Sequence, residues 1–340
     1  MQIEINAFLR NPSFSGRSHQ QLYGEFLEMM EYADQNGMTG VSLAEHHFED
    51  DGYLPSQFVM AGAIAARTKK IQIRFGIMVL PLHHPVSVAE DGAVLDCLSE
   101  GRFTLGVAGG YHRKEFEGFG IPRNERGDRM DEALDIIRKC WEDEGPFDYE
   151  GQFWQLKGIK VRPRPVQEPR PKIILGGNSE AAARRAARYA DGFMPVSGRW
   201  WDAYRQEMKR LDKDPGPAPI EPAEPHPFHL HVARDPERAW AVIAPHALHE
   251  WNAYAKYNDD DPNMMFFLAP NADILKDQGI YRVMTPEECT EFLLRQRQAL
   301  GDHASLRLRP TMGGMPAELG QECLELVANE VMPRLRDAGA

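Results

Sequence analysis

Strand-like and helix-like segments alternate along almost the whole chain, and this pattern restricts the fold more than any single motif. Several of the strand-like segments are apolar on both faces, which is typical of parallel strands covered by helices. Eight such strands with helical crossovers predict an α/β protein, a closed (β/α)8 TIM barrel with insertions. An open doubly wound sheet is the alternative, but the first turn lacks GxGxxG. The predicted strands are Ile3–Phe8, Gly40–Leu43, Ile71–Leu80, Phe103–Val107, Lys172–Gly176, Phe193–Pro195, Phe228–Val232 and Ser305–Arg309.

The length of 340 residues fits two ordinary domains or one large barrel. We expect a single barrel domain over 1–340, with irregular insertions near 145–171, 211–227 and 258–280. Proline interrupts the first two insertions, although Tyr149–Leu156 has the pattern of a hairpin. The third is too long for an ordinary connection, so it is either a lid or a disordered segment.

The formal net charge is −12, which is opposite to the balance of most nucleic-acid-binding proteins and excludes that class. No run of about 18 apolar residues occurs, so we expect no membrane span, and the N-terminal residues lack a signal-peptide pattern. The four cysteines are far apart, which predicts neither a zinc motif nor a disulfide framework. A reduced, cytoplasmic setting follows as an expectation.

Three polar residues, Glu45, His46 and His47, stand where the second predicted strand ends. Neighbouring residues of a strand point to opposite faces, so this pair is a poor metal chelate and we predict no metal site. One histidine facing the barrel mouth would bond a reactive oxygen or shuttle a proton, and Glu45 would orient its neighbour. The alternative is a pair of packing or capping histidines.

Glycines mark the ends of two further strands. In ILGGNSEAAARR, Gly176 and Gly177 permit close backbone approach, and Asn178 or Ser179 caps a helix whose N-terminus favours an anion. In GVAGGYHRKEF, the glycines would let a flat or charged ligand touch the backbone beside Tyr111. An ordinary capped turn and a flexible loop are the alternatives. Together with the histidines, these strand ends should converge at one barrel mouth and favour a flat, phosphate-bearing cofactor.

Four stretches in this order resemble the luciferase-like flavin monooxygenases. They are LAEHHFEDDGYLPS, VLPLHHPVSVAEDGAVLDCLSEGRFTLGVAGG, PKIILGGNSEAAARRAARYADGF and TMGGMP followed by NEVMPRL. The resemblance covers 1–195 and, more loosely, 305–336. It implies a (β/α)8 barrel, a homodimer, and reduced FMN that reacts with O2 to a C4a-hydroperoxide, which then oxygenates an organic substrate. No second flavin or NAD(P)H domain is visible, so a separate flavin reductase would be a transient partner.

The resemblance also assigns site residues. His46 matches the family's catalytic histidine, with Glu45 and His47 beside it. Gly76-Ile77 matches a position where the family often has a non-prolyl cis peptide beneath the flavin. Gly177, Asn178 and Ser179 match the family's phosphate site. Together with the strand-end residues, the predicted cofactor-binding set is Gly76, Ile77, Ala108, Gly109, Tyr111, Gly176, Gly177, Asn178 and Ser179.

The sequence departs from the family after the fourth strand, where Ala108 and Gly109 replace a cysteine and an arginine that contacts phosphate. Arg126 or Arg129 would have to substitute for that arginine. The region 196–280, where substrate preference should reside, matches poorly, so light emission is not implied. An apolar small-molecule substrate is expected from five aromatic residues, Phe8, Phe48, Tyr111, Trp200 and Trp201. Three alternatives stay open: a deazaflavin-dependent oxidoreductase that moves hydride without O2, a non-catalytic flavin-binding protein, and a zinc-dependent barrel hydrolase.

Overall fold

A computed structural model describes residues 1–195, 197–216, 225–257 and 265–339. The predictions about insertions at 211–227 and 258–280 therefore lie partly outside the described residues. Within the described ranges the chain alternates helices and strands, as the sequence pattern predicts. The strands are β1 Gln2–Ala7, β2 Gly40–Leu43, β3 Gln72–Phe75, β4 Met78–Val79, β5 Phe103–Ala108, β6 Phe147–Glu150, β7 Gln155–Ile159, β8 Lys172–Gly177, β9 Gly192–Pro195, β10 His229–Val232, β11 Tyr281–Met284 and β12 Ser305–Leu308.

Helices fill most connections between these strands. Side chains cap the starts of α1, α6, α8 and α10, at Ser18, Ser179, Asp235 and Thr285. Ser18 and Thr285 each form a capping box, which satisfies backbone donors at those two helix starts. The helices are α1 His19–Gln35, α2 Gln57–Arg67, α3 Pro85–Leu98, α4 Arg113–Gly118, α5 Arg126–Glu142, α6 Glu180–Tyr189, α7 Trp201–Arg210, α8 Pro236–Ala255, α9 Asp273–Asp277, α10 Pro286–Leu300, α11 Ala317–Leu326 and α12 Met332–Asp337.

The described residues pack as two compact units. The first comprises Met1–Pro55, Arg67–Ile71 and the described residues from 225 onward. Its strands run parallel in the order β11-β10-β12-β1-β2. Ile3 and Ile5 of β1 are buried with every residue of β2, so these strands contribute to a covered core.

The second unit comprises Ser56–Ala66 and the described residues from Gln72 to 216. Its parallel strands have the order β3-β5-β8-β9, and β4 also pairs with β5. Gly106 lies where β5 passes β3 most closely: a Cβ built there would be 1.8 Å from the carbonyl oxygen of Phe75. The antiparallel strands β6 and β7 form a hairpin, which confirms the one predicted around Tyr149–Leu156.

Three predictions about elements are wrong. The single strand predicted at Ile71–Leu80 is two strands, β3 and β4, because a continuous apolar run does not reveal where backbone pairing stops. The count of eight strands missed β11, which is four residues long and pairs with β10 through His229 and Tyr281. Three helices were also missed, α4, α7 and α9, since all are short and rich in charged residues. The helix α9 lies within the segment 258–280 that was predicted to be irregular.

The expectation of a single domain stays a prediction, because the two units are each compact in themselves. Among the described residues, no helix combines the length and the apolar character that crossing a membrane requires. All four cysteines carry free thiols.

Candidate functional site

Backbone pairing at the end of β2 places the two histidines. The amide of Ala44 donates to the carbonyl of Ala7, which extends the pairing of β1 and β2 by one residue. The amide of His46 then donates to the carbonyl of Leu54 at 3.4 Å. The amide of Leu54 in turn donates to the carbonyl of Phe8 at 3.0 Å. His46 is therefore held at a strand end by a loop that folds back beside it.

Three tyrosines enclose the His46 ring in the first unit; we call them the tyrosine cage. Ring centres lie 4.8 Å from His46 for Tyr53, 5.9 Å for Tyr254 and 5.2 Å for Tyr257. The hydroxyls of Tyr53 and Tyr254 share a hydrogen bond of 2.8 Å. His46 is 6% exposed, so its imidazole lies in a largely water-excluded aromatic environment.

Burial keeps two of the cage tyrosines, Tyr254 and Tyr257, protonated. It raises the pKa of Tyr254 to about 12, although the charge of Arg10 acts in the opposite direction. Burial also raises the pKa of Tyr257. At neutral pH these phenols are therefore neutral hydroxyl groups that donate or accept hydrogen bonds.

A charged cluster lies next to the cage. The carboxylate of Asp51 accepts from Arg10 Nη1 at 2.7 Å and from His249 Nε2 at 2.7 Å. Burial alone would raise the pKa of Asp51, but the bond from His249 and the charge of Arg10 outweigh it and lower the pKa to about 2. Asp51 is therefore ionised throughout the physiological range.

Glu45 and His47 form a separate pair. His47 Nε2 donates to Glu45 Oε1 at 2.5 Å, and both residues are buried. The adjacent histidines thus have different partners: His46 lies against the tyrosine cage, whereas His47 is held by Glu45. This is the arrangement expected for neighbours at a strand end.

The second unit carries the predicted cofactor residues between β3 and β4 and at the end of β8. The peptide bond between Gly76 and Ile77 is cis, as the family resemblance implied. A Cβ on Gly176 would lie 2.0 Å from Ile77 Cδ1, so β8 packs directly against this peptide. Gly76 and Ile77 are half-buried, which leaves part of their surface open to a ligand.

The β8–α6 turn, where an anion site was predicted, is a capped helix start. Ser179 is the N-cap of α6, and its side chain accepts from the amide of Ala182 at 3.2 Å. A Cβ on Gly177 would lie 2.4 Å from Ala182 Cβ, so only glycine lets the strand meet the helix so closely. Asn178 does not cap the helix; its Oδ1 accepts from Trp200 Nε1 at 2.7 Å. The turn presents backbone at the positive end of a helix dipole.

Few side chains crowd the backbone at Gly109, just after the end of β5. A Cβ on Gly109 would meet only Met130 Sδ at 3.9 Å, so the position is open. Ala108, Gly109 and Tyr111 are all half-buried. The arginines proposed to replace the missing phosphate contact have protein partners: Arg126 donates to the carbonyl of Arg123 at 2.9 Å, and Arg129 donates to Glu125 at 2.9 Å.

Sequence reasoning found His46 but missed the groups around it. Trp251 and Tyr254 lie three residues apart in the last turns of α8, and Tyr257 follows three residues later, just beyond the helix; this spacing was the available signal. Arg10 and Asp51 gave no signal, since isolated charged residues are normally exposed. The roles assigned to Glu45, His46, His47 and the cofactor-binding set remain predictions.

Comparison with known proteins adds to this geometry. The model of the luciferase-like monooxygenase family matches residues 1–304. The oxygenase component of the flavin-dependent trigonelline monooxygenase of Acinetobacter baylyi is 31% identical over 46% of this chain and 44% of its own length. The aligned part thus spans less than half of that relative.

Two relatives match nearly full length. An F420-dependent glucose-6-phosphate dehydrogenase of Microbacterium testaceum is 27% identical over 95% of this chain and 97% of its own. The crystal structure of monooxygenase RslO1 from Streptomyces bottropensis has a TM-score of 0.77 and 26% identity, covering 98% of this chain and 99% of that one. This likeness confirms the predicted fold class, α/β with the luciferase-like TIM-barrel fold. The chain belongs to the luciferase-like monooxygenase family of flavin- and deazaflavin-dependent oxidoreductases.

Proposed function

We propose that this chain is the oxygenase of a two-component, FMN-dependent monooxygenase that acts on a small, apolar organic substrate. The observation that carries the proposal is the aromatic, water-excluded surrounding of His46. Exclusion of water favours oxygen transfer, because it prevents reactive flavin species from being lost to hydrolysis or proton leakage.

The residues of the second unit fit an FMN phosphate and ring. The Gly177 turn brings backbone close to the N-terminus of α6, where a phosphate is favoured by the helix dipole and by the polar Ser179. The open surface at Gly109 and the half-buried Gly76-Ile77 peptide offer flat backbone surfaces. Bound there, reduced FMN would supply the electrons that activate O2.

His46 would then be the protonating residue. Each nitrogen of an imidazole can donate or accept a proton, so a positioned histidine can deliver a proton to a reacting oxygen. His47 would help to fix the strand end through its bond with Glu45 at 2.5 Å. The apolar rings of the tyrosine cage would favour an apolar substrate over a charged one.

A separate flavin reductase would supply the reduced FMN. The relative from Acinetobacter is itself named as the oxygenase component of its system, which supports a transient reductase partner. A homodimer and a cytoplasmic location are further parts of the proposal. The homodimer rests on the family resemblance, and the location rests on the four widely spaced cysteines, which fit a reducing compartment.

The second candidate is hydride transfer with the deazaflavin coenzyme F420. The F420-dependent dehydrogenase matches 95% of this chain, whereas the named oxygenase matches 46% of it. A helix N-terminus that binds phosphate and a histidine that moves protons would serve either coenzyme.

One experiment separates the two candidates. The purified protein is titrated without oxygen against reduced FMN and against reduced F420, with binding followed by fluorescence. We expect tighter binding of reduced FMN and, with a reductase and a panel of apolar substrates, O2 uptake coupled to product. Tighter binding of F420, with coenzyme oxidation that needs no O2, would contradict the monooxygenase proposal and support the second candidate.

A further inference from the structure

One buried arginine contacts every member of the tyrosine cage. The Cζ atom of Arg10 lies 4.6 Å from the ring centre of Tyr53 and 5.1 Å from that of Tyr254. Its Nη2 donates to the hydroxyl of Tyr257 at 3.3 Å. Arg10 is 1% exposed, so these contacts form in a desolvated environment where cation–π attraction is strongest.

The guanidinium is itself fixed by carboxylates. Asp51 bonds it at 2.7 Å, and Glu49 lies 3.8 Å from the same nitrogen. The second anchor on Asp51 is His249, at 2.7 Å. Arg10 therefore has a defined position and orientation. Because its planar guanidinium contacts the tyrosine rings, it restricts the orientations that those rings can adopt.

We propose that Arg10 is a positioning residue for His46: it holds the three cage tyrosines, and these fix the orientation of the imidazole. A proton donor acts only when its nitrogen points at the reacting atom, and small errors in such geometry reduce rates strongly. The expected effect on turnover rests on the proposed function of His46. The expected effect on ring orientation is a property of the protein alone.

The test uses the full chain labelled with isotopes in its histidine rings. The signals of His46 are identified by their loss in His46→Ala, and each variant is then compared with the parent protein by NMR. Arg10→Met removes the charge and keeps the length of the side chain. Arg10→Lys keeps the charge but loses the planar fork that stacks and bonds at once.

Arg170→Met is the matched control. Arg170 is also buried and paired with two carboxylates, Asp191 at 2.6 Å and Glu142 at 2.8 Å, but it belongs to the second unit. It measures what the loss of any buried arginine does to the melting temperature.

In Arg10→Met we expect shifted or broadened His46 signals and turnover lower on the order of ten- to a hundredfold, with FMN affinity nearly unchanged. Compared with Arg10→Met, the Arg10→Lys variant should have His46 signals and turnover closer to those of the parent protein. Arg170→Met should lower the melting temperature while leaving the His46 signals and turnover as in the parent protein.

Unchanged His46 signals in a folded Arg10→Met protein would overturn the proposal. If that variant does not fold, Arg10→Lys and Tyr257→Phe carry the test, and parent-like His46 signals in both would overturn it equally. Shifted signals with unchanged turnover, together with full activity of His46→Ala, would instead refute the proposed role of His46 and leave the positioning intact.

Discussion

The two units carry their candidate functional residues in different ways. In the first unit, the surroundings of His46 depend on side chains: tyrosine rings lie against it, and Arg10, which is bound by the ionised Asp51, contacts those rings. In the second, the ends of β5 and β8 depend on the absence of side chains, since Gly106 and Gly177 allow contacts that a Cβ would prevent. A side chain near His46 can be replaced by a similar one that keeps part of its contacts. A glycine at a close backbone contact cannot be replaced in this way, because even alanine adds a Cβ that the contact excludes.

The largest effect should come from Gly106→Ala. Its new Cβ would lie 1.8 Å from the carbonyl oxygen of Phe75, and a backbone atom has no room to give way. We expect the free energy of unfolding to fall by about 3 kcal/mol or more, measured by chemical denaturation.

Gly109→Ala is the matched control, because its Cβ would meet only Met130 Sδ at 3.9 Å. It should change stability by less than about 0.5 kcal/mol. An equal decrease in the free energy of unfolding in both variants would contradict the prediction that close strand packing requires glycine at position 106.

The next largest effect concerns the first unit. His46→Ala should leave FMN affinity unchanged and reduce product formation on the order of a hundredfold, because the proton donor is lost. The readout is product formed per FMN oxidised under single turnover. His84→Ala, which removes an exposed histidine, is the control. Parent-like turnover in His46→Ala would remove this residue from the mechanism.

A smaller effect is expected from acid. The pKa of Asp51 is lowered from 3.8 to about 2 in the folded protein, so Asp51 stabilises the fold above pH 4. Roughly 2 kcal/mol should be lost as the pH falls from 4 towards 2. Asp51→Asn should flatten the stability profile in this window, whereas Asp50→Asn, at an exposed position, should not. If stability in Asp51→Asn depended on pH between 4 and 2 as it does in the parent protein, the stabilising role of the Asp51 carboxylate would be refuted.

The smallest effect should be that of Ser179→Ala in the second unit. The hydroxyl caps α6 through the amide of Ala182, and a bound phosphate would share this end of the helix. We expect FMN affinity to fall by about 1 kcal/mol, with riboflavin affinity unchanged, in fluorescence titrations. Thr285→Ala, which removes the cap of α10, controls for the loss of a helix cap. Equal losses for FMN and riboflavin would argue against phosphate contact at Ser179.

Much of the fold was predictable because local patterns specify local structure. Strands such as β1, β2 and β8 were located to within a residue or two, since their apolar runs are bounded by turn residues. The cis peptide at Gly76-Ile77 was anticipated only from the family resemblance. The element β11 was missed, because four residues gain strand structure only by pairing with β10.

The sequence by itself determined the alternation of strands and helices, the family, the histidine at the end of β2 and the glycine turn before α6. Each of these depends on residues close together in the chain. Only the tertiary structure decided which residues surround His46. Arg10 and Tyr257 are 247 positions apart, so no local pattern relates them. Burying a charged arginine is costly unless distant carboxylates and rings pair with it, and that pairing exists only in the folded chain.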